Sequence, residues 1–368
     1  MSSHPYKLQP SSAFWGRAIG AVSMAEVDPV VDGRFKIRRS DKVVTAGSCF
    51  AQHISRRLSL AGFTFHVTES AHPILGPDIS HEYGYGVFSA RYGNIYTARQ
   101  LLQLHRRAYG EFLPVEDAWM DKAGRYIDPF RPSIQPGGFV TLEEMRHDRD
   151  RHLSAVRRAF EEMDVFVFTL GLTESWESRT DGAVFPVCPG VVGGEFDPHR
   201  FRFQNFSVQE IVLDILEFAR RIATRKSGVR YIITVSPVPL MATAEPRHVL
   251  VATTYSKSVL RVAAEQIERE LGACAAYFPS YEIICGNFHR GRYFADDLRS
   301  VTEEGVSHVM RLFLKHYGGD DSASAAVGEG SAEPPSQLAH EDTMRKLMEV
   351  VCDEEALAAS APQDDRAN

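Results

Sequence analysis

The sequence is short of several things, and each shortage removes a class of function. No apolar run approaches the roughly 20 residues needed to cross a bilayer. The start, MSSHPYKLQP, lacks the basic-then-apolar layout of a secretory signal, so the expected location is cytoplasmic. Cysteines number five (Cys49, Cys188, Cys274, Cys285 and Cys352), without a CxxC pair or a Cys/His spacing suited to zinc. That argues against a disulfide framework and a structural metal, and leaves the thiols reduced. No metal or other cofactor is expected. A concentrated basic stripe is also missing: residues 320–368 hold twelve acidic and three basic side chains, a local charge of −9 out of a total of −7. The rest of the chain is close to neutral, which is not the footprint of a nucleic-acid binder.

What is present is a chain of 368 residues, 44% hydrophobic, able to bury one large core or two modest ones. Residues 1–40 read as an N-terminal extension and 41–317 as an α/β domain. A linker follows at 318–338, rich in Gly, Ser, Ala, Pro and acid. Segment 339–368 reads as an acidic tail with a short amphipathic helix carrying Met344, Leu347, Met348, Val351 and Leu357. Docking on its own domain or binding a protein partner would both suit such a helix. Within the domain the pattern is β then α, repeated. KVVTA (42–46), DVFVFTL (164–170), VRYIITV (229–235) and AAYFPSYEI (275–283) are β-branched or aromatic runs separated by helix patterns, at 207–226 and about 254–271 among others. The arrangement predicts a three-layer αβα sandwich around a central parallel sheet. Ligands of such sheets bind just outside the carboxyl ends of the strands, where GSCFA, GLTESWE, SPVPL and the stretch after 283 should converge. Segment 66–140, dense in Gly, Pro, aromatics and Arg, fits no simple βα unit and reads as an inserted cap or rim.

The stretches GSCFA (47–51), TLGLTESWE (169–177), TVSPVPL (234–240), YSKSVLR (255–261) and YFPSYEI (277–283) together resemble the bacterial GSCFA-domain family, which looks related to the SGNH (GDSL-like) hydrolases. The resemblance spans about residues 40–317. It implies an SGNH-hydrolase-like fold and an esterase or O-acyltransferase activity on an acylated carbohydrate, a polysaccharide precursor or another small ester. It also implies a nucleophile at Ser48, after the first strand. From the residues alone, Ser48 reads equally well as the N-cap of the following helix. Cys49 beside it has two readings as well: a thiolate activated by the helix N-terminus, or a small buried hydrophobe. Backbone N–H groups near Cys49 are candidate oxyanion donors.

Other roles follow from the same likeness. GLTE (171–174) corresponds to a Gly-x-Asn-Asp block, with Thr173 in place of the amide donor and Glu174 in place of the acid; both would otherwise cap a helix opening at ESWES. Gly86 or Gly93, with Asn94, are candidates for the middle glycine block. Asp297 fits the Asp of an Asp-x-x-His block, but Ser300 stands where the histidine should be, and serine is no base near neutral pH. His289 and His53 are candidate bases. His308, about 12 Å further along a helix, reads as packing. A carboxylate among Glu174, Asp296 and Asp297 is a third source of a weak base. Tyr83, Tyr85, Arg91, Tyr92, Tyr96 and Trp119 are candidate sugar contacts on the rim. The alternative is a non-catalytic protein that has lost its base and binds a glycan or a protein.

Overall fold

A computed structural model describes residues 4–319 and 355–360. Its centre is a four-stranded parallel sheet formed by β1 (Val43–Gly47), β4 (Val165–Leu170), β8 (Arg230–Val235) and β9 (Ala275–Phe278), in that spatial order. The register is unbroken, with Val43 beside Val165 and Val165 beside Arg230. Nearly every residue of these strands is buried, which is why they read as continuous apolar runs.

Alternation along the strands feeds two cores. Val44, Ala46, Phe166, Phe168, Leu170, Ile233 and Val235 face one side, packed against α3 (Ala98–Ala108), α4 (Leu142–Glu162), α5 (Val208–Ala223) and α6 (Val249–Leu271). Val43, Val165, Val167, Ile232 and Phe278 face the other, packed against α1 (Ala51–Leu60), α7 (Ser280–Cys285) and α8 (Glu303–Tyr317). Because each strand lies beside its predecessor, the crossovers through α4, α5 and α6 fall on one face. All four carboxyl ends then open at one edge. The α/β sandwich expected from the repeating pattern is the observed fold.

Differences occur at the ends of elements. The fourth strand stops at Phe278: Pro279 has no N–H to continue the ladder, and Ser280 opens α7 instead. Helix α6 starts at Val249, five residues before the expected start, with the His248 side chain accepting from the Leu250 N–H. ESWES opens no helix. It is β5 (Glu174–Ser178), paired antiparallel with β6 (Val184–Phe185) and β7 (Phe201–Asn205) in a separate small sheet. Segment 66–140 contributes α2 (Pro77–Glu82), α3 and a hairpin of β2 (Trp119–Met120) and β3 (Tyr126–Ile127).

Short 3-10 and π turns between Pro5 and Glu26 lead along α8, where Asp28 accepts from Lys315 and lies beside His316. From residue 320 on, the expected linker and tail lie outside the described residues, apart from helix α9 (Glu355–Ser360). Among the described residues no helix is long and apolar enough to cross a membrane.

Candidate active site

Strand β1 ends in a backbone geometry that only glycine tolerates. Gly47 has φ +141°, and a Cβ there would fall on the Thr169 carbonyl oxygen, so β1 and β4 press together just before Ser48. The Ser48 N–H donates to the Thr169 carbonyl (3.2 Å). The chain then turns tightly into α1, the Ala51, Gln52 and His53 N–H groups bonding back to the Ser48, Cys49 and Phe50 carbonyls. Phe50, not Ser48, is the N-cap residue, and no side chain caps α1. Ser48 is 3% exposed, yet its hydroxyl oxygen has no hydrogen-bond partner. The capping role therefore does not account for this serine.

Ser48 and Cys49 line a narrow pocket with about 10 Å³ of room, together with Tyr96, Gly171, Pro239 and Lys257 among others. These six residues come from five separate segments of the chain. The Gly171 and Leu172 N–H groups donate to the Tyr96 carbonyl (2.9 and 3.2 Å), tying the 91–96 segment to the end of β4. A Cβ at Gly171 would lie 3.0 Å from both the Ser48 Cβ and the Tyr96 carbonyl oxygen, so glycine lets the three segments close up without displacement. The Ser236 N–H donates to the Leu170 carbonyl (2.8 Å), bringing the residues after β8 over the same edge. With the N–H groups of Ser48, Gly171 and Leu172 already committed, these three are not waiting oxyanion donors.

Thr173, Glu174 and Asp297, expected beside Ser48, do not line this pocket. Thr173 is fully buried, and both its N–H and its hydroxyl donate to the Ser256 Oγ (3.0 and 3.1 Å). The Glu174 carboxylate accepts from the Thr243 hydroxyl (2.7 Å) and the Ala244 N–H (3.3 Å), clasping the loop that follows Leu240; burial pushes its pKa up. Asp297 is exposed. Its carboxylate accepts from the Ser300 hydroxyl (2.5 Å) and from the Ser300 and Arg299 N–H groups, holding a turn in which Leu298 is left-handed (φ 55°). Slight burial would raise Asp297, but these bonds reverse that and lower it. The turn approaches the pocket through Arg299, whose Nε donates to the Pro239 carbonyl (3.2 Å).

Among the described residues no imidazole accepts from or donates to the Ser48 hydroxyl. The His53 ring packs on Phe50 (5.6 Å between centroids) and lines a larger groove between α1 and the 77–87 segment, which also includes Gly86. Burial, then Arg56 and Arg57, lower its pKa to about 4. His289 is buried and stacks on Tyr293 at 4.2 Å. His308 is a packing residue as expected, bonded to the Tyr293 hydroxyl (2.6 Å) and the Val27 carbonyl (2.9 Å). Asn94 accepts from the Gln52 amide (3.2 Å) beneath α1. Gly93, like Gly86, has positive φ and marks a turn.

A model of the GSCFA family matches residues 42–313. The chain belongs to the GSCFA family. Two solved structures show a looser likeness to this GSCFA protein. A variant of an acetyl-xylooligosaccharide esterase from Geobacillus Stearmophilus is 12% identical, with a TM-score of 0.31, covering 78% of this chain and 98% of its own. A carbohydrate esterase family 2 enzyme with a carbohydrate-binding domain, from Corynascus thermopiles (Myceliophthora fergusii), is 14% identical with a TM-score of 0.25, covering 45% of this chain and 37% of its own. No curated protein matches the chain.

The rim corrects one expectation for this GSCFA protein. Arg91, Tyr92, Tyr96 and Trp119 are buried, and only Tyr83 and Tyr85 of the six proposed sugar contacts are partly open. The Tyr92 hydroxyl donates to the Thr45 carbonyl, and Trp119 packs on Phe185. Such rings have no free face on which a sugar could stack. Lys257 is the residue that the sequence reading missed. It lies within YSKSVLR, on the buried stripe of α6 that also carries Ala252, Ser256, Leu260, Ala264 and Ile267. That stripe was the available signal, since lysine is almost never fully buried without a partner or a task.

Proposed function

We propose that this protein cleaves or transfers a short acyl group through Ser48, as an ester hydrolase or O-acyltransferase acting on an acylated carbohydrate. One observation carries the reading: a serine hydroxyl is buried at the carboxyl edge of a parallel sheet, on a tight strand-to-helix turn, with no hydrogen bond of its own. Burying a hydroxyl without a partner costs free energy, and the turn would not be weakened by alanine there. Leu172, Val238, Pro239 and Leu240 give the pocket apolar walls, which must part to admit even a short acyl chain. Thr173 and Glu174 serve as positioning residues, fixing α6 and the 243–244 loop around the pocket. Asp297 holds the turn whose Arg299 grips Pro239.

The carbohydrate rests on the resemblance to SGNH hydrolases alone. A second reading, binding of a glycan or protein partner without chemistry, draws on the lack of an imidazole at Ser48 and on the engagement of Asp297 with Ser300. Treating the full chain with a small alkyl fluorophosphonate and mapping the adduct by mass spectrometry separates the two. An adduct on Ser48, with release of acetate from acetylated oligosaccharides, is the expected result. Tight binding of those sugars with neither an adduct nor turnover would establish the second reading.

A further inference from the structure

The chemistry proposed above needs a group to take the Ser48 proton, and no histidine among the described residues is bonded to it. Lys257 shares the serine's pocket and is 2% exposed, among the largest fully buried side chains of the protein. Its Nζ donates to the Gly171 carbonyl at 2.6 Å. Gly171 is the residue whose missing side chain leaves room against the Ser48 Cβ. The amine is thus held at the residue that touches the nucleophile. Its backbone is held too: the neighbouring Ser256 accepts two hydrogen bonds from Thr173, pinning this turn of α6 to the segment that begins at Gly171.

We infer that Lys257 is the general base of this site, a role that rests on Ser48 being the nucleophile. A lysine in such a place differs from a surface lysine in two ways. Removal from water disfavours the ammonium form, and the long flexible stem lets a neutral amine swing from the Gly171 carbonyl to a nearby hydroxyl. Of the titratable groups around it, Cys49 and Tyr96 share the pocket lining, and Cys285 faces it from α7, burial pushing that thiol up to about 12.

The step balances. As Ser48 Oγ forms a bond to the acyl carbon, its proton passes to the neutral Lys257 amine and the carbonyl π pair moves onto oxygen. When that pair returns, the ester C–O bond breaks and the ammonium gives its proton to the departing sugar oxygen. Water or an acceptor hydroxyl then repeats the sequence in reverse roles, with Lys257 again taking the proton and returning it to Ser48. The Ser48 hydroxyl meets the amine only when the acyl group is bound, as is common for catalytic hydrogen bonds that tighten in the substrate complex.

The test compares wild type, Lys257→Met and Lys257→Arg in the full chain, measuring Ser48 labelling by the fluorophosphonate and p-nitrophenyl acetate turnover from about pH 6 to 10, the range in which a buried lysine titrates. Arginine keeps the cation and a donor for Gly171 but does not deprotonate. Both variants are expected to be folded by circular dichroism and slower by about 100-fold or more, as for loss of a general base. The rise of the wild-type rate with pH should vanish in both. Lys257→Arg within a few-fold of wild type, or with the same pH profile, overturns the inference and leaves the lysine as a cation or strut. If the Lys257→Met protein fails to fold, the arginine variant decides. If neither folds, a wild-type rate flat across this pH range overturns it. A wild type that is never labelled at Ser48 refutes the serine reading itself, whereas equal labelling of all three refutes only the role of Lys257.

Discussion

Two regions of this protein bury polar groups, and they do so in opposite ways. Around the β2–β3 hairpin, Arg131 pairs with Asp128 (3.0 Å) and Asp148 (2.8 Å), Arg91 pairs with Asp148 (2.8 Å), and Arg149 reaches Asp117 (2.6 Å) and Asp128 (3.2 Å). Burial would raise Asp128, but Arg149, Arg131 and Arg107 reverse this and hold its carboxyl well below the usual range. Such a cluster is internally satisfied and offers a ligand little. At Ser48 the hydroxyl is buried as deeply and bonded to nothing, beside a buried amine. Satisfied burial fixes a conformation; a buried hydroxyl without a partner, as at Ser48, calls for an explanation of its own.

The strongest way to break this contrast is to delete the unsatisfied group. Ser48→Ala should abolish labelling and acyl turnover, a fall of about 10³-fold or more by the order expected for a lost nucleophile, while the melting temperature stays level or rises. A clear drop in melting temperature would mean that the hydroxyl is structural. Deleting a satisfied group should do the reverse. Asp128→Ala should cost about 3–5 kcal/mol in urea unfolding, because two arginines lose a buried partner. The protein that remains folded should label at Ser48 at close to the normal rate.

A third test lies between the two extremes. Asp214 accepts from the Arg99 Nε through both carboxylate oxygens (2.9 and 2.8 Å), but burial outweighs this and raises its pKa to about 6. The folded form then binds the proton more tightly than the unfolded one. Asp214 should favour folding fully below about pH 4, and that contribution should be lost as pH rises through about 6, by roughly 1–3 kcal/mol. Asp214→Asn should flatten this part of the stability-against-pH curve; an unchanged curve would rule out the shift. The smallest effect should come from Cys49→Ala. The thiol is 5% exposed next to the serine, so its loss should cost about 1 kcal/mol of packing and leave most turnover. A dead Cys49→Ala enzyme alongside an active Ser48→Ala enzyme would transfer the nucleophile to sulfur.

The sheet was legible because buried parallel strands need β-branched and aromatic residues without a break. Runs placed at 42–46, 164–170 and 229–235 are strands at Val43–Gly47, Val165–Leu170 and Arg230–Val235. ESWES misled because its strand conformation comes from pairing with Phe201–Asn205, a partner remote in sequence, and local propensity carries no trace of it. Helix α6 was drawn too short because Val249, Val251, Thr253 and Thr254 are β-branched and read as poor helix formers. Ser48 could be singled out by its place after the first strand. The rim aromatics could not be sorted from sequence, since the same Tyr and Trp serve as sugar platforms or as core according to burial alone. Lys257 was hidden by its own chemistry: a lysine reads as solvent-facing unless its place on the stripe with Ala252, Ser256, Leu260 and Ala264 is weighed against that.

The bonds from the Gly171 and Leu172 N–H groups to the Tyr96 carbonyl join parts of the chain more than seventy residues apart, beside the pocket that Ser48 and Lys257 also line. Local bonds shape the turn at Ser48, but they do not join it to the other walls of the pocket. Its walls come from contacts of high sequence separation, which form late because loop closure must precede them. Helices such as α4 and α5 have their own caps at Thr141 and Ser207 and need no such closure for their first turns. Ser48 therefore acquires its surroundings only when the whole central sheet is assembled. A partly folded chain would carry the serine without the enclosure, and reactivity at residue 48 is in that sense a report that folding has finished.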